Sequence, residues 1–234
     1  MKLAQTKKVV AYMMISPESY YEMNIKGKTT EQILSAIRGL KNEMGHLKNV
    51  MERPDYSTEI IIHPSEAVRL SCTREYHERA KIAYAETGGK YKPSKTELKA
   101  EDFQENVPYI SKFTFGIGGF LGDYYKHVAM FEDGMLKVDV KHFGELIEMP
   151  QPLTEDLELY TWQSFLDAIE GLHIGEWLPH YSTKRFGYVV CDGTQWEVDI
   201  EYNNGHKPVR ITGDNSFPYN FDLLQEIFGL DSED

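Results

Sequence analysis

Cysteine is nearly absent. Cys72 and Cys191 are the two in 234 residues, and neither stands in a CxxC or a Cys/His metal spacing. That argues against a disulfide framework and a structural zinc site, and it makes a reducing cytosol the expected compartment. Each thiol falls inside an apolar periodic segment, where a small buried hydrophobe is the expected role in preference to a nucleophile. Long hydrophobic runs are missing as well. Val9 to Ile15 is seven residues against the about 20 of a membrane span, and no small-residue cleavage site accompanies it, so neither a membrane anchor nor a leader is expected. Basic residues are scarce, 25 Lys and Arg against 37 Asp and Glu, for a net charge of −12. A protein that binds nucleic acid through bulk positive charge is thereby excluded. What is present, 41% hydrophobic and 12% aromatic residues, suffices for a real core and excludes wholesale disorder, and the length fits one or two domains.

The negative charge is unevenly placed. Residues 1–110 carry 17 basic and 15 acidic residues, whereas residues 111–234 carry 8 and 22, so the two parts stand at +2 and −14. No Lys or Arg occurs between Lys141 and Lys184, an interval holding Glu145, Glu148, Glu155, Asp156, Glu158, Asp167, Glu170 and Glu176. Composition shifts at the same place, from the polar stretch Lys90 to Pro108 into aromatic, Gly-punctuated sequence. These changes divide the chain into a mainly helical region, 1–108, and an acidic α+β module, 109–234.

In the first region Thr29-Thr30-Glu31-Gln32 is a capping box, so a helix starts there. Ile33, Ile37, Leu40, Met44, Leu47 and Met51 follow at steps of four and three, the stripe of helix-on-helix packing, until Pro54. After the apolar Ile60-Ile61-Ile62, Ser65 opens a second helix whose Val68, Cys72, Tyr76, Ala80 and Ala83 are expected to share a face, ended by Gly88-Gly89. Ser94-Lys95-Thr96-Glu97 is another capping box, for a shorter helix carrying Leu98 and Phe103. Arg38, Lys41, Lys48, Arg69, Arg74, Arg79 and Lys81 read as a solvated face of mixed sign or as a basic docking surface.

The second region reads as antiparallel sheet with helices packed on one side, an α+β module. Tyr125 to Met130 and Met135 to Val140 flank Glu132-Asp133-Gly134, a hairpin signal. Tyr188 to Cys191, with Asp192-Gly193, reads as a strand turning into Trp196, Val198, Ile200 and Tyr202, which alternate with Glu197, Asp199 and Glu201 before Asn203-Asn204-Gly205 returns the chain into Val209-Arg210-Ile211. Between the hairpins Trp162, Phe165, Ile169 and Leu172 mark a helix, with Trp177 as an anchor. Asn220 is expected to cap a last helix bearing Leu223, Leu224 and Ile227, with Gly229 beyond it.

Several of these segments resemble a known module. Thr114-Phe115-Gly116-Ile117-Gly118-Gly119-Phe120, the Trp162 helix, Cys191-Asp192-Gly193-Thr194-Gln195-Trp196 and the run Ile211-Thr212-Gly213-Asp214-Asn215-Ser216-Phe217-Pro218-Tyr219-Asn220-Phe221 look like a module that recurs in uncharacterised bacterial proteins. Ile37-Arg38-Gly39-Leu40-Lys41 and His63-Pro64-Ser65-Glu66 resemble its clostridial, mobile-element-associated members. The resemblance covers most of the chain and implies a bacterial family. It implies no activity.

No motif commits the chain to catalysis. Gly116 to Gly122 invites a phosphate-loop reading, but it leads into a strand where a phosphate loop needs a helix N-terminus, and no Gly-Lys-Ser/Thr follows. A glycine-rich bend or bulge entering a strand is expected instead. The eight histidines form no His-Glu-x-x-His or His-x-His, so neither a metal nor a cofactor is expected. His142, His180 and Asp192 can be written as an acid/base set, although a turn role explains Asp192. The acids give a stronger signal. Glu197, Asp199 and Glu201 project from one strand face about 6.6 Å apart, a row too straight to converge on a metal. Joined with Glu155, Asp156 and Glu158, the row would present anionic charge in the manner of a phosphate backbone, and the bland alternative is a solvated sheet face kept soluble by acids. The expected function is non-catalytic binding to a protein with a basic surface, in its concrete form inhibition of a host defence nuclease as anti-CRISPR proteins do. A hydrolase or transferase using the glycine-rich segment, and a scaffold or oligomerisation module using the 30–52 stripe, are the alternatives.

Overall fold

The computed structural model describes residues 15–56, 64–119, 124–133, 135–143, 161–190 and 192–230. It divides into two compact units, residues 1–92 and 93–234.

In the first unit, helices α1 (Pro17–Asn24), α2 (Thr30–Met51) and α3 (Glu66–Glu86) form from explicit caps. The Thr29/Gln32 capping box is present in both directions, with Thr29 N–H donating to Gln32 Oε1 at 3.0 Å. α2 and α3 are antiparallel: Thr30 at the start of α2 donates its hydroxyl to the carbonyl of Thr87, past the end of α3, and Arg69 early in α3 pairs with Glu43 at 2.5 Å. Ile33 and Ile37 pack with Ala80 and Ala83, whose small side chains permit close approach. The α3 face differs from the expected one. Leu70, Thr73, His77, Ala80 and Ala83 are buried, while Val68 is 47% exposed. Tyr76 turns toward α1, stacking on Tyr20 at 4.3 Å and bonding both backbone groups of Ile15. Cys72 is a half-buried free thiol whose pKa is raised by burial and then by Glu75. The Ile60 to Ile62 stretch lies outside the described residues.

The second unit begins earlier than residue 109. Helix α4 (Lys95–Asn106) belongs to it, because Phe103 enters the sheet's core and Lys99 Nζ donates to the carbonyl of Trp177 at 2.7 Å. The sheet has six strands: β1 (Ile110–Gly119), β2 (Tyr124–Glu132), β3 (Met135–Phe143), β4 (His180–Ser182), β5 (Thr194–Tyr202) and β6 (Val209–Asp214), in the order β3-β2-β1-β5-β6-β4. With its helices this makes an α+β fold. The sheet is mixed, not purely antiparallel, since the three-residue β4 runs parallel to β6. The β2–β3 hairpin turns at Asp133, held at φ 53°, as a two-residue Asp-Gly turn requires.

Tyr188 to Val190 is not the expected strand: it is exposed and irregular, and Cys191 lies outside the described residues. The reason is topological. β5 is bonded to β1 on one side and β6 on the other, so no edge remains for an incoming partner.

Helices α5 (Trp162–Gly171) and α6 (Phe221–Ile227) cover one face of the sheet. Phe165, Ile169, Phe221, Leu224 and Phe228 share a single core with Phe113, Phe115, Val198 and Ile200. Each such side chain contributes about 1.5–3 kcal/mol by burial. Asn220 does not cap α6. Its amide instead accepts from Trp177 Nε1 at 3.1 Å and donates to the carbonyl of Leu172 at 2.9 Å, and Leu223 is 45% exposed.

The Cys191–Trp196 and Ile211–Phe221 segments are tied together. Asn215, at φ 50°, accepts from Thr194 N–H at 2.8 Å and donates to the carbonyl of Asp192 at 2.9 Å, while Trp196 Nε1 donates to the carbonyl of Ser216 at 2.9 Å. Among the described residues no helix is long and apolar enough to cross a membrane.

Candidate functional site

The strand period of two determines the site. On β5 the even-numbered residues Trp196, Val198 and Ile200 enter the core, so Glu197, Asp199 and Glu201 point to the opposite face, as the alternation predicts. Register then decides their neighbours. Lys112 of β1 lies beside Glu201 and pairs with it at 2.7 Å, and Arg210 of β6 lies beside Asp199, its Nε 3.5 Å from Oδ1. Arg210 also reaches diagonally to Glu197 Oε2 at 2.8 Å. Across β1, Lys126 of β2 closes an ion pair with the other oxygen, Glu197 Oε1.

Gly116 makes that reach possible. It stands between Lys126 and Glu197 in the ladder, and a Cβ there would lie 2.4 Å from the Tyr124 hydroxyl and 3.0 Å from Glu197 Cγ. Within the described residues, Gly116 to Gly119 of the glycine-rich segment is therefore strand, and the bare position at Gly116 lets Tyr124 lie across it. Burial pushes the Glu197 carboxyl upward, but Lys126, Arg210 and the Tyr124 hydroxyl outweigh it and hold its pKa below the ordinary value. Asp199 is raised, by burial first, with the Glu197 and Glu201 charges adding to that and Arg210 opposing it. Tyr124 is held above the ordinary phenol range by burial and then by the Glu197 charge. Replacing Gly116 with alanine should push Tyr124 off Glu197 and return one tyrosine to ionisation near pH 10, readable in an alkaline ultraviolet titration, at a stability cost of about 1 kcal/mol.

The face as a whole is close to charge balance. Register places Glu132, Asp139, Glu197, Asp199, Glu201 and Asp214 on it together with Lys112, Lys126, Lys137, Lys141 and Arg210. The carboxylate row thus carries counter-ions supplied by its own neighbours. Glu155, Asp156 and Glu158 lie outside the described residues. Of the 22 acids in residues 111–234, nine lie outside them, and the remaining thirteen stand against all eight bases of that part.

One end of this face is concave. Tyr124, His180, Gln195, Glu197, Thr212 and Asp214 line an open depression of about 290 Å³, and His180 Nδ1 lies 2.9 Å from Thr212 Oγ1. Of the paper acid/base set, His180 alone lines it. His142 stacks on Tyr125 at 4.8 Å on the opposite edge strand, and Asp192 offers its carbonyl to Asn215. No three His, Cys, Asp or Glu side chains converge as a metal-binding set among the described residues. Sequence reasoning missed Tyr124, Lys126, Arg210, Gln195 and Asp214 as members of one site. Alternation gives each of them a face but not a neighbouring strand.

No family model, no curated protein and no solved structure matches this chain.

Proposed function

We propose that the protein acts by binding, not catalysis, and that it engages the basic surface of a protein partner through the open face of its sheet. The observation that carries this reading is the concavity at one end of the face, which no Lys or Arg of the described residues lines and where Asp214 carries no ion pair among them. A rigid lattice of ion pairs disfavours nonspecific anions and cations alike, and the concavity leaves acceptors open to an incoming donor. The finer form, an inhibitor of a host defence nuclease acting as anti-CRISPR proteins do, draws on the −14 of the second part and on the bacterial, mobile-element resemblance. Capture from bacterial lysate with the full chain tests it. Nucleic-acid-binding proteins released by raising salt from 0.1 to 0.5 M are the expected catch, and salt-insensitive capture of other proteins would overturn it.

His180 beside Glu197 and Asp214 is the observation on which a hydrolase or transferase would rest. Glu197 is a poor proton donor in that role, being held ionised by two cations and a phenol. Turnover of ester or phosphoester reporters that His180→Ala abolishes would decide for the enzyme.

A further inference from the structure

We propose that the concavity is an anchor site for a single arginine side chain of the partner, an inference that rests on the binding reading above. At about 290 Å³ it falls at the lower limit of small-molecule pockets, a size suited to one side chain. Its lining decides the charge of the occupant. Glu197 and Asp214 contribute carboxylates, and no Lys or Arg of the described residues lines it. Lys126 and Arg210 already pair Glu197, so the Asp214 carboxylate, unpaired among the described residues, is what favours a cation over an anion there.

The two acids have different roles. Glu197 is buried and its oxygens are taken by Lys126, Arg210 and the Tyr124 hydroxyl. Asp214 is exposed and forms the direct β5–β6 ladder partner of Gln195, so the two side chains stand about 5 Å apart at Cβ on the same face. A guanidinium matches this pair: its planar fork meets the Asp214 carboxylate with two parallel bonds and offers a third donor to the Gln195 amide oxygen. Tyr124 borders the same depression, with Lys126 Nζ 6.0 Å from its ring centroid. Gly118, between Gln195 and Tyr124 in the ladder, places no side chain between them.

The test uses the full chain and N-acetylarginine amide as probe, followed by backbone and side-chain amide NMR. The expected result is millimolar saturable binding, with the largest shifts at the Gln195 side-chain amide and at the Thr212 and Asp214 N–H groups. N-acetylcitrulline amide, which keeps the shape and loses the charge, should bind at least tenfold more weakly, N-acetyllysine amide with a free ε-amine severalfold more weakly, and Asp214→Asn should lose arginine binding tenfold or more. Shifts that citrulline or lysine reproduces at equal concentration, or that survive Asp214→Asn, overturn the anchor. Partner capture separates this from the wider reading. If Asp214→Asn captures the partner from lysate undiminished, the anchor fails and the basic-partner reading stands; if the wild type captures no basic protein while the probe still binds, the wider reading fails alone.

Discussion

Gly213→Ala should unfold or nearly unfold the sheet unit. Gly213 of β6 is the ladder partner of Trp196 on β5, and a Cβ at that position would lie 2.1 Å from the indole Nε1 and 2.2 Å from Cε2. The ring cannot retreat, being 2% exposed, anchored by its bond to the carbonyl of Ser216, and packed between Tyr181 and Phe221. Overpacking of this kind costs about 1–3 kcal/mol, and losing the buried indole bond costs about 1–3 kcal/mol more. The sum is a large part of the about 5–15 kcal/mol that holds a typical domain. Tryptophan fluorescence in a urea titration reads the sheet unit alone, because Trp162, Trp177 and Trp196 all lie beyond residue 92. A midpoint within 0.3 M of the wild type would contradict this account of the glycine.

The second large effect is on acid stability. His127 of β2 is fully buried between Phe115 and Phe228, with both ring nitrogens lacking a hydrogen-bond partner, and burial lowers its pKa from 6.5 to about 4. The fold therefore holds the neutral ring, and the unfolded chain takes up a proton near pH 6.5. Above that pH neither state is charged and this residue gives no pH dependence. As the pH falls from 6.5 to about 4 the unfolded chain alone binds the proton, and the sheet unit loses about 3 kcal/mol in total. His127→Leu should remove that slope and raise stability at pH 7 by about 1–2 kcal/mol, since two unsatisfied nitrogens leave the core. The measurement is the difference between variant and wild-type unfolding free energies at pH 7, 6, 5 and 4, which cancels the carboxylates common to both. A constant difference across that range would show that His127 finds a partner for its charge.

Local chemistry in the sequence identified most elements. The capping boxes at Thr29 and Ser94 start α2 and α4, the Asp133 turn joins β2 to β3, and the alternation on β5 sorts Trp196, Val198 and Ile200 from the acids correctly. Where the reading failed, the cause lay in contacts distant in sequence. Ser94 to Asn106 looks like a continuation of the helical region, yet a Cβ at Gly175 would lie 2.7 Å from Phe103 and 2.8 Å from Ala100, so this helix packs closely within the second unit. Tyr188 to Val190 has strand composition but no edge to pair with. Asn220 has cap chemistry, and two buried groups farther away claim its amide.

The same division runs through the candidate site. By itself the sequence determined that its two cysteines stand in no CxxC or Cys/His spacing, that charge divides into +2 and −14, and that Glu197, Asp199 and Glu201 share one face of one strand. Those are properties of composition and of a period of two, which need no partner strand. Only the tertiary structure decided that Lys126, Arg210 and Lys112 meet that row, that Gly116 lets Tyr124 and Lys126 cross a strand to reach Glu197, and that Gln195 and Asp214 stand side by side at a concavity that no Lys or Arg of the described residues lines. Strand order and register set those pairings. A scarcity of bases in the sequence therefore became, in the fold, a nearly neutral face with a single acceptor-rich end.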